Sequence, residues 1–396
     1  MILGIDASNL RTGGGVTHLV ELLRAARPQA HGFSRIIVWG GQRTLAQLEE
    51  RPWLVRSPQP LLSRALPYRV LWQRFRLGRL ARAAGCDLLF APGGSVSSTF
   101  HPVITMSRNL LPFEWRELRR YGVSWLTLKW LLLRVIQARA FARADGLIFL
   151  TRYAHDVVTK AVPLATARTA IIPHGIGQRF ARAPREQAAI GHYSGAQPFR
   201  ILYVSIIDMY KHQWRAVEAM AKLRAAGMPV LLELVGPAYA PALARLNEAR
   251  ARHDPQGQFV EYLGKVAYTE LHTRYAAADL CLFASSCENM PNILLEAMAS
   301  GLPIACSNRG PMPEVLGDAG AYFNPESTDD IARGVRELLD SPTLRARLAK
   351  TSFERVQRYS WQRCADETFT FLAAAAAVRG PEAAPSRVAA SSPRVV

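Results

Sequence analysis

Glu288 and Glu296, with seven residues between them, lie in segment 285–315, SSCENMPNILLEAMASGLPIACSNRGPMPEV. The segment starts where the apolar run Leu282-Phe283-Ala284 ends, and open α/β sheets hold ligands at such strand ends. Pro291 suits the first position of a helix and Gly301 its end. The amides near Asn292 and Ile293 are then expected to lack carbonyl partners at the positive end of a helix, a place suited to a phosphate. Glu288 falls in the loop before that helix and Glu296 just over one turn inside it. One carboxylate is expected to face a cleft from the loop and the other from the helix. Each could accept hydrogen bonds from paired hydroxyls, such as those of a sugar and a ribose.

The elements that must position these groups read as two βα series. The first has predicted strands over 2–7, 34–39, 87–91, 102–106, 146–150 and 169–173. A glycine turn, Gly13-Gly14-Gly15, precedes a helical pattern over 16–26, and a second helix falls around 153–161. The second series has strands over 199–205, 230–235, 259–263, 280–284 and 303–307, with helices near 213–225, 241–252, 269–277, 291–300 and 328–341. This rhythm predicts an α/β protein with two doubly wound parallel sheets. The expected domains are 1–180 and 199–358, joined by a linker over 181–198 that carries Pro184 and Pro198. A helix over 359–378 is expected to return towards the first domain. Residues 379–396, rich in Ala, Pro, Ser and Arg, are expected to be a disordered tail. At 396 residues and 49% hydrophobic, the chain can bury two cores.

Segment 285–315 resembles the donor-binding motif of retaining glycosyltransferases with the GT-B fold, in particular glycosyltransferase family 4. Their pattern is two glutamates with seven residues between, then Ala-Met-x-x-Gly-x-Pro, met here by Glu288, Glu296 and Ala297–Pro303. The likeness continues through Pro313-Glu314-Val315 and Gly317-Asp318-Ala319-Gly320. It implies two Rossmann-like domains facing each other across a cleft, and a nucleotide-sugar donor held by Glu288, Asn289, Met290, Pro291, Asn292, Ile293 and Glu296. Residues 201–211 resemble the family's strand and loop ending in a phosphate-binding lysine, which makes Lys211 the candidate for the diphosphate. The arginine usual a few residues earlier is replaced by Ile206. Leu263-Gly264-Lys265-Val266 resembles a strand end near the nucleotide base, so Val266 joins the donor set. Gly14 and Gly15 resemble the glycine loop whose amides approach the donor, since the bare backbone can come close to a ligand.

A His-Asp pair, frequent in the family after the strand over 103–106, is replaced by Ser107-Arg108-Asn109. Asn109 or Ser107 is expected to offer a hydrogen bond to the sugar, and Arg108 to meet a phosphate. His18 and His174 read as packing residues. Glu288, Lys211 and Asn109 are therefore the candidate catalytic set. No metal or cofactor is expected, because no Asp-x-Asp occurs and His and Cys lack ligand spacing. The family resemblance implies retention of anomeric configuration. The closest rival is a sugar-nucleotide enzyme of the same fold that transfers nothing, epimerase- or phosphorylase-like.

The net charge of +18 lies entirely within residues 1–185, and the remainder is neutral. An anionic partner touching the first half is implied. Arginines interleave with Trp, Phe and Leu over 64–82 and 113–143, which suits anionic lipid or a lipid-linked glycan acceptor. No helix-turn-helix, zinc-finger or RNA-binding signature appears, so nucleic acid is not an expected partner. The five cysteines form no CxxC pair and fit a reducing compartment. The apolar stretch 125–136 is broken by Lys129 and Arg134, short of the ~20 residues of a membrane span. No secretory leader is expected, because Met1 runs straight into the first strand. The expected location is the cytoplasm, peripheral on the inner face of the membrane. The particular acceptors and donors suggested are those of O-antigen or exopolysaccharide mannosyl- or rhamnosyltransferases that use a GDP-sugar.

Overall fold

The computed structural model describes residues 1–11, 13–164 and 168–377; the tail expected over 379–396 lies outside them. The N-terminal domain is a seven-stranded parallel sheet of β1 (Ile2–Asp6), β2 (Arg35–Gly40), β3 (Leu54–Pro58), β4 (Leu88–Ala91), β5 (Val103–Met106), β6 (Gly146–Phe149) and β7 (Arg168–Ile171). Its order is β3-β2-β1-β4-β5-β6-β7. The C-terminal domain is a six-stranded parallel sheet of β8 (Phe199–Val204), β9 (Val230–Val235), β10 (Val260–Tyr262), β11 (Leu280–Phe283), β12 (Ile304–Ser307) and β13 (Ala321–Phe323), in the order β10-β9-β8-β11-β12-β13. Central strands such as LLFA, LCLF and VLLELV are buried along their whole length, because helices cover both faces of a parallel sheet and leave no polar face to alternate.

Two strands escape the sequence reading. β3 sits at an edge and its five residues are largely exposed, so no apolar run betrays it. β13 has three residues, too few to show a period. The helix Pro342–Val356 also goes unread. It is fixed by Ser341, whose hydroxyl accepts from Leu344 N at 3.1 Å. Arg345, fully buried, donates from Nη1 to the Leu338 and Leu339 carbonyls that end the preceding helix.

Each sheet reverses its winding once, between β1 and β4 and between β8 and β11. These switch points are where doubly wound sheets open a crevice beyond the strand ends. The loops that leave them are the glycine turn after β1, 92–99 after β4, 205–212 after β8 and 285–291 after β11.

The chain crosses between domains twice, side by side. Ile176 N donates to Tyr359 O at 3.1 Å, and a Cβ on Gly175 would lie 2.1 Å from Trp361 N, so only glycine fits there. After the second crossing the helix Trp361–Ala377 packs on the N-terminal domain. Phe369 meets Phe33 edge-on at 5.8 Å between centroids, and Phe371 lies 3.1 Å from where a Gly146 Cβ would stand.

Candidate active site

β8 and β11 lie side by side, so the loops that follow them meet. Lys211 reaches across from the first loop and its Nζ forms an ion pair with Glu288 in the second. Lys211 is buried and Glu288 half-buried. The ammonium also stands over the rings of Tyr210 and Phe283, at 5.1 and 5.2 Å. Tyr203 Oη donates to the Lys211 carbonyl at 2.6 Å and fixes its backbone.

His212, next in the chain, has φ 54, the one non-glycine residue with positive φ among the described residues. Such a conformation costs an L-residue roughly 1–2 kcal/mol. Its Nε2 lies 3.0 Å from Ser286 Oγ, and that hydroxyl donates to Glu117 Oε2 at 2.7 Å. With the serine proton directed to Glu117, the imidazole meets the oxygen as an Nε2–H donor. Burial pulls the His212 pKa to about 3, so the ring is neutral.

The loop 285–291 is tied to the N-terminal domain. Asn289 Nδ2 donates to Ser107 Oγ at 3.2 Å, and its carbonyl accepts from Thr151 Oγ1 at 2.9 Å. Asn289 Oδ1 is buried without a partner. Met290 and Pro291 are buried behind it. Pro291 caps the helix Asn292–Ala299 rather than opening it, since its ψ of 87 is not helical. Asn292 N is not free as expected; it donates to Met290 O at 3.1 Å, which leaves Ile293 N at the helix start.

Gly14 and Gly15 begin the helix Gly14–Ala25 directly opposite. A Cβ on Gly14 would come 3.8 Å from Asn292 Nδ2, so the two helix starts meet across the cleft. Arg108 Nη2 donates to the Gly14 carbonyl at 2.8 Å. Asn109, expected to offer a bond to the sugar, instead turns its Oδ1 inward to accept from Leu111 N at 3.1 Å. Ser107 is buried by Asn289. His18 and His174 are both buried, with Nδ1 atoms 2.9 Å apart. Desolvation holds both pKa values well below the ordinary histidine value, so the pair is neutral and packs against Trp361.

Glu296 is enclosed rather than open. Tyr275 Oη donates to its Oε2 at 3.1 Å, and burial raises its pKa to about 7. Tyr268 and Arg179 lie beside it. Val266 is half-buried beyond β10, near Gly236, whose N–H donates to the Gly264 carbonyl at 2.8 Å.

Sequence reasoning misses the residues that close the cleft. Besides Glu117 and Ser286, Tyr121 Oη donates to Asp208 Oδ1 at 2.8 Å. Arg116 and Arg120 pair with Glu326, and Glu314 accepts from the Arg152 and Tyr153 amides at 2.8 and 2.9 Å. Arg120, half-buried, and Arg116, exposed, are thus paired across the cleft and do not stand as free cations of the basic surface expected over 113–143. Arg134 lies over the Trp115 ring at 4.9 Å and donates to Pro112 O. One signal was available: Glu114 and Glu117 are the acidic residues of that basic stretch.

Two parallel α/β domains whose switch points meet across a cleft have the GT-B fold. The chain superposes on sucrose-phosphate synthase from Thermosynechococcus elongatus with a TM-score of 0.70 at 19% identity, covering 94% of this chain and 98% of that one. Residues 12–177 match Glycosyltransferase Family 4, and residues 190–355 match Glycosyl transferases group 1. Over 110 residues the chain is 33% identical to O-antigen chain mannosyltransferase B of Escherichia coli, covering 28% of this chain and 29% of that protein. Over 247 residues it is 27% identical to the GDP-mannose-dependent alpha-(1-6)-phosphatidylinositol dimannoside mannosyltransferase of Mycobacterium tuberculosis, covering 60% of each. These curated relatives are matched over less than two thirds of their own length. Together the matches support a glycosyltransferase of the family 4/group 1 kind.

Proposed function

We propose that the chain transfers a hexose from a nucleotide-diphosphate sugar, GDP-mannose or GDP-rhamnose, to a lipid-linked or surface-polysaccharide acceptor, with retention of anomeric configuration. The observation that carries the reading is the Lys211–Glu288 contact at the β8/β11 switch point, opposite the Gly14-Gly15 helix start. In this reading Lys211 turns to the diphosphate, joined by the Ile293 and Gly15 amides, a preorganised cationic surround for the leaving group that calls on no metal. Glu288, released, accepts hydrogen bonds from the sugar hydroxyls and orients the ring. Glu296, enclosed by Tyr275 and Tyr268 in the ligand-free protein, serves the ribose diol once the nucleotide displaces them, and Asn289, Met290, Pro291 and Asn292 shape the pocket. The anomeric C–O bond to phosphate breaks, the acceptor oxygen bonds to the same face, and its proton passes to the departing phosphate. The mannosyltransferase relatives support the donor class. The acceptor side is taken to lie at the inner face of the membrane, against the basic first half.

A binding screen of GDP-, UDP-, ADP- and dTDP-sugars by thermal shift, followed by NMR of the product linkage, tests this. GDP-sugar stabilisation with a retained anomeric centre is expected. An inverted product overturns the mechanism, and a donor altered without any acceptor makes the chain an epimerase.

A further inference from the structure

The exposed large apolar side chains are concentrated on two segments of the N-terminal domain. One is the helix Leu66–Trp72 with its continuation Gln73–Leu77, wound one residue wider per turn. It shows Leu71 and Phe75 to solvent, Phe75 at 62% exposure. The other is the helix Trp125–Arg143, where Trp125, Leu128, Leu132 and Ile136 are exposed, Trp125 at 80%. Their spacing of three and four places them on one stripe, and Arg139 and Arg143 continue the same stripe. A surface helix ordinarily turns its polar face outward; this one presents an apolar half and then a basic half.

The two segments border one groove, about 200 Å³ in volume. Arg74 lines it from one side, Ile136, Arg139 and Arg143 from the other, and Ser97 from the loop after β4. Among the described residues none of these three arginines pairs with a carboxylate, unlike Arg116 and Arg120 nearby. Three unpaired guanidinium groups around a concavity with one hydroxyl fit a phosphate. The flanking Phe75, Trp125, Leu128 and Leu132 require an apolar phase beside it. A nucleic acid supplies the phosphate without that phase. An anionic bilayer supplies both.

We propose that this groove is a membrane-docking site that seats the phosphate of an anionic phospholipid headgroup between Arg74, Arg139 and Arg143, with the two apolar segments entering the acyl boundary. It rests on the reading of the acceptor as lipid-linked, because docking here brings the cleft to the bilayer.

Flotation of the full chain with vesicles of phosphatidylcholine, with or without phosphatidylglycerol, tests it. The wild type is expected to float with the anionic vesicles alone. Each basic residue at such a surface is worth about fivefold in partitioning, so Arg74→Gln/Arg139→Gln/Arg143→Gln should lower it at least tenfold. A charge-matched control, Arg27→Gln/Arg35→Gln/Arg43→Gln, removes exposed arginines elsewhere on the same domain and should stay within about twofold. Trp125→Ser/Leu132→Ser should weaken flotation as well. Equal losses in the groove and control variants, equal flotation with neutral vesicles, or no flotation at all overturns the site. The donor-induced thermal shift of each variant, expected to match wild type, shows that it is folded. A wild-type chain that floats but binds no nucleotide sugar refutes the transferase reading and leaves the docking site standing.

Discussion

Lys211 and Glu288, far apart in sequence, close on each other at the switch point of the C-terminal sheet. The buried ammonium has its counterion in the same loop system that is proposed to hold the sugar. A diphosphate bound as proposed would exchange with Glu288 for Lys211 and free the carboxylate for hydroxyls.

The first expectation concerns this pair. Removing one member of a buried pair leaves an uncompensated charge, so Glu288→Ala should lower unfolding free energy by about 2 kcal/mol or more while the fold persists. Glu288→Gln/Lys211→Met should recover much of that loss. Turnover should fall by roughly 10²–10³-fold in Glu288→Ala. Denaturant melts and initial rates check both. A wild-type rate would move the active centre elsewhere.

His212 offers a test of strain against bonding. Glycine adopts φ 54 without penalty, whereas alanine keeps the strain and loses the bond to Ser286. His212→Gly should therefore be the more stable of the two variants by about 1 kcal/mol, read from chemical denaturation. The reverse order would mean the backbone rearranges when the ring is removed.

The pH dependence follows from Glu296. Its carboxyl is raised to about 7 when folded, mainly by burial, against an ordinary value near 4.5. The folded state then holds a proton that the unfolded state has released between these values. This carboxyl adds no penalty below pH 4.5, a growing one between about pH 4.5 and 7, and a constant one above that. Glu296→Gln should flatten that slope and stabilise the ligand-free protein by up to roughly 3 kcal/mol at pH 8. Melting temperatures of both proteins from pH 5 to 8 decide it, and parallel curves would place the carboxylate in water.

The closed cleft depends on carboxylates from both domains. Glu117→Gln/Glu326→Gln removes the negative charges that face Arg116 and Arg120 and weakens the acceptor of the Ser286 hydroxyl. The ligand-free protein should open, with a larger radius of gyration by solution scattering. Its apparent donor affinity should fall about tenfold as the competent state becomes rarer. An unchanged scattering curve would assign closure to the apolar contacts alone.

Much of this site is legible in one dimension. An apolar run that stops at Ala284, a proline at 291 and a glycine at 301 are local facts, and they place Glu288 in a loop at a strand end. The enclosure of Glu296 is not local, because it depends on Tyr275 and Tyr268 arriving from another element. Nor is the bond between Ser286 and Glu117, which spans the domain boundary. The donated Asn292 amide and the left-handed His212 belong to backbone geometry that residue type alone does not dictate. The turn of Asn109 Oδ1 to the neighbouring Leu111 amide is equally a matter of local backbone geometry, since a short polar side chain readily satisfies a nearby main-chain donor.

The helix Trp361–Ala377 has a bearing on how the chain is made. It supplies Phe369 and Phe371 to a domain whose other residues precede the linker. During synthesis the N-terminal sheet emerges before the C-terminal one, yet its outer layer over Phe33 and Gly146 stays bare until residues 361–377 are added. Of the two domains the earlier to emerge is therefore the later to be completed, and the C-terminal domain folds while its neighbour still waits for this helix.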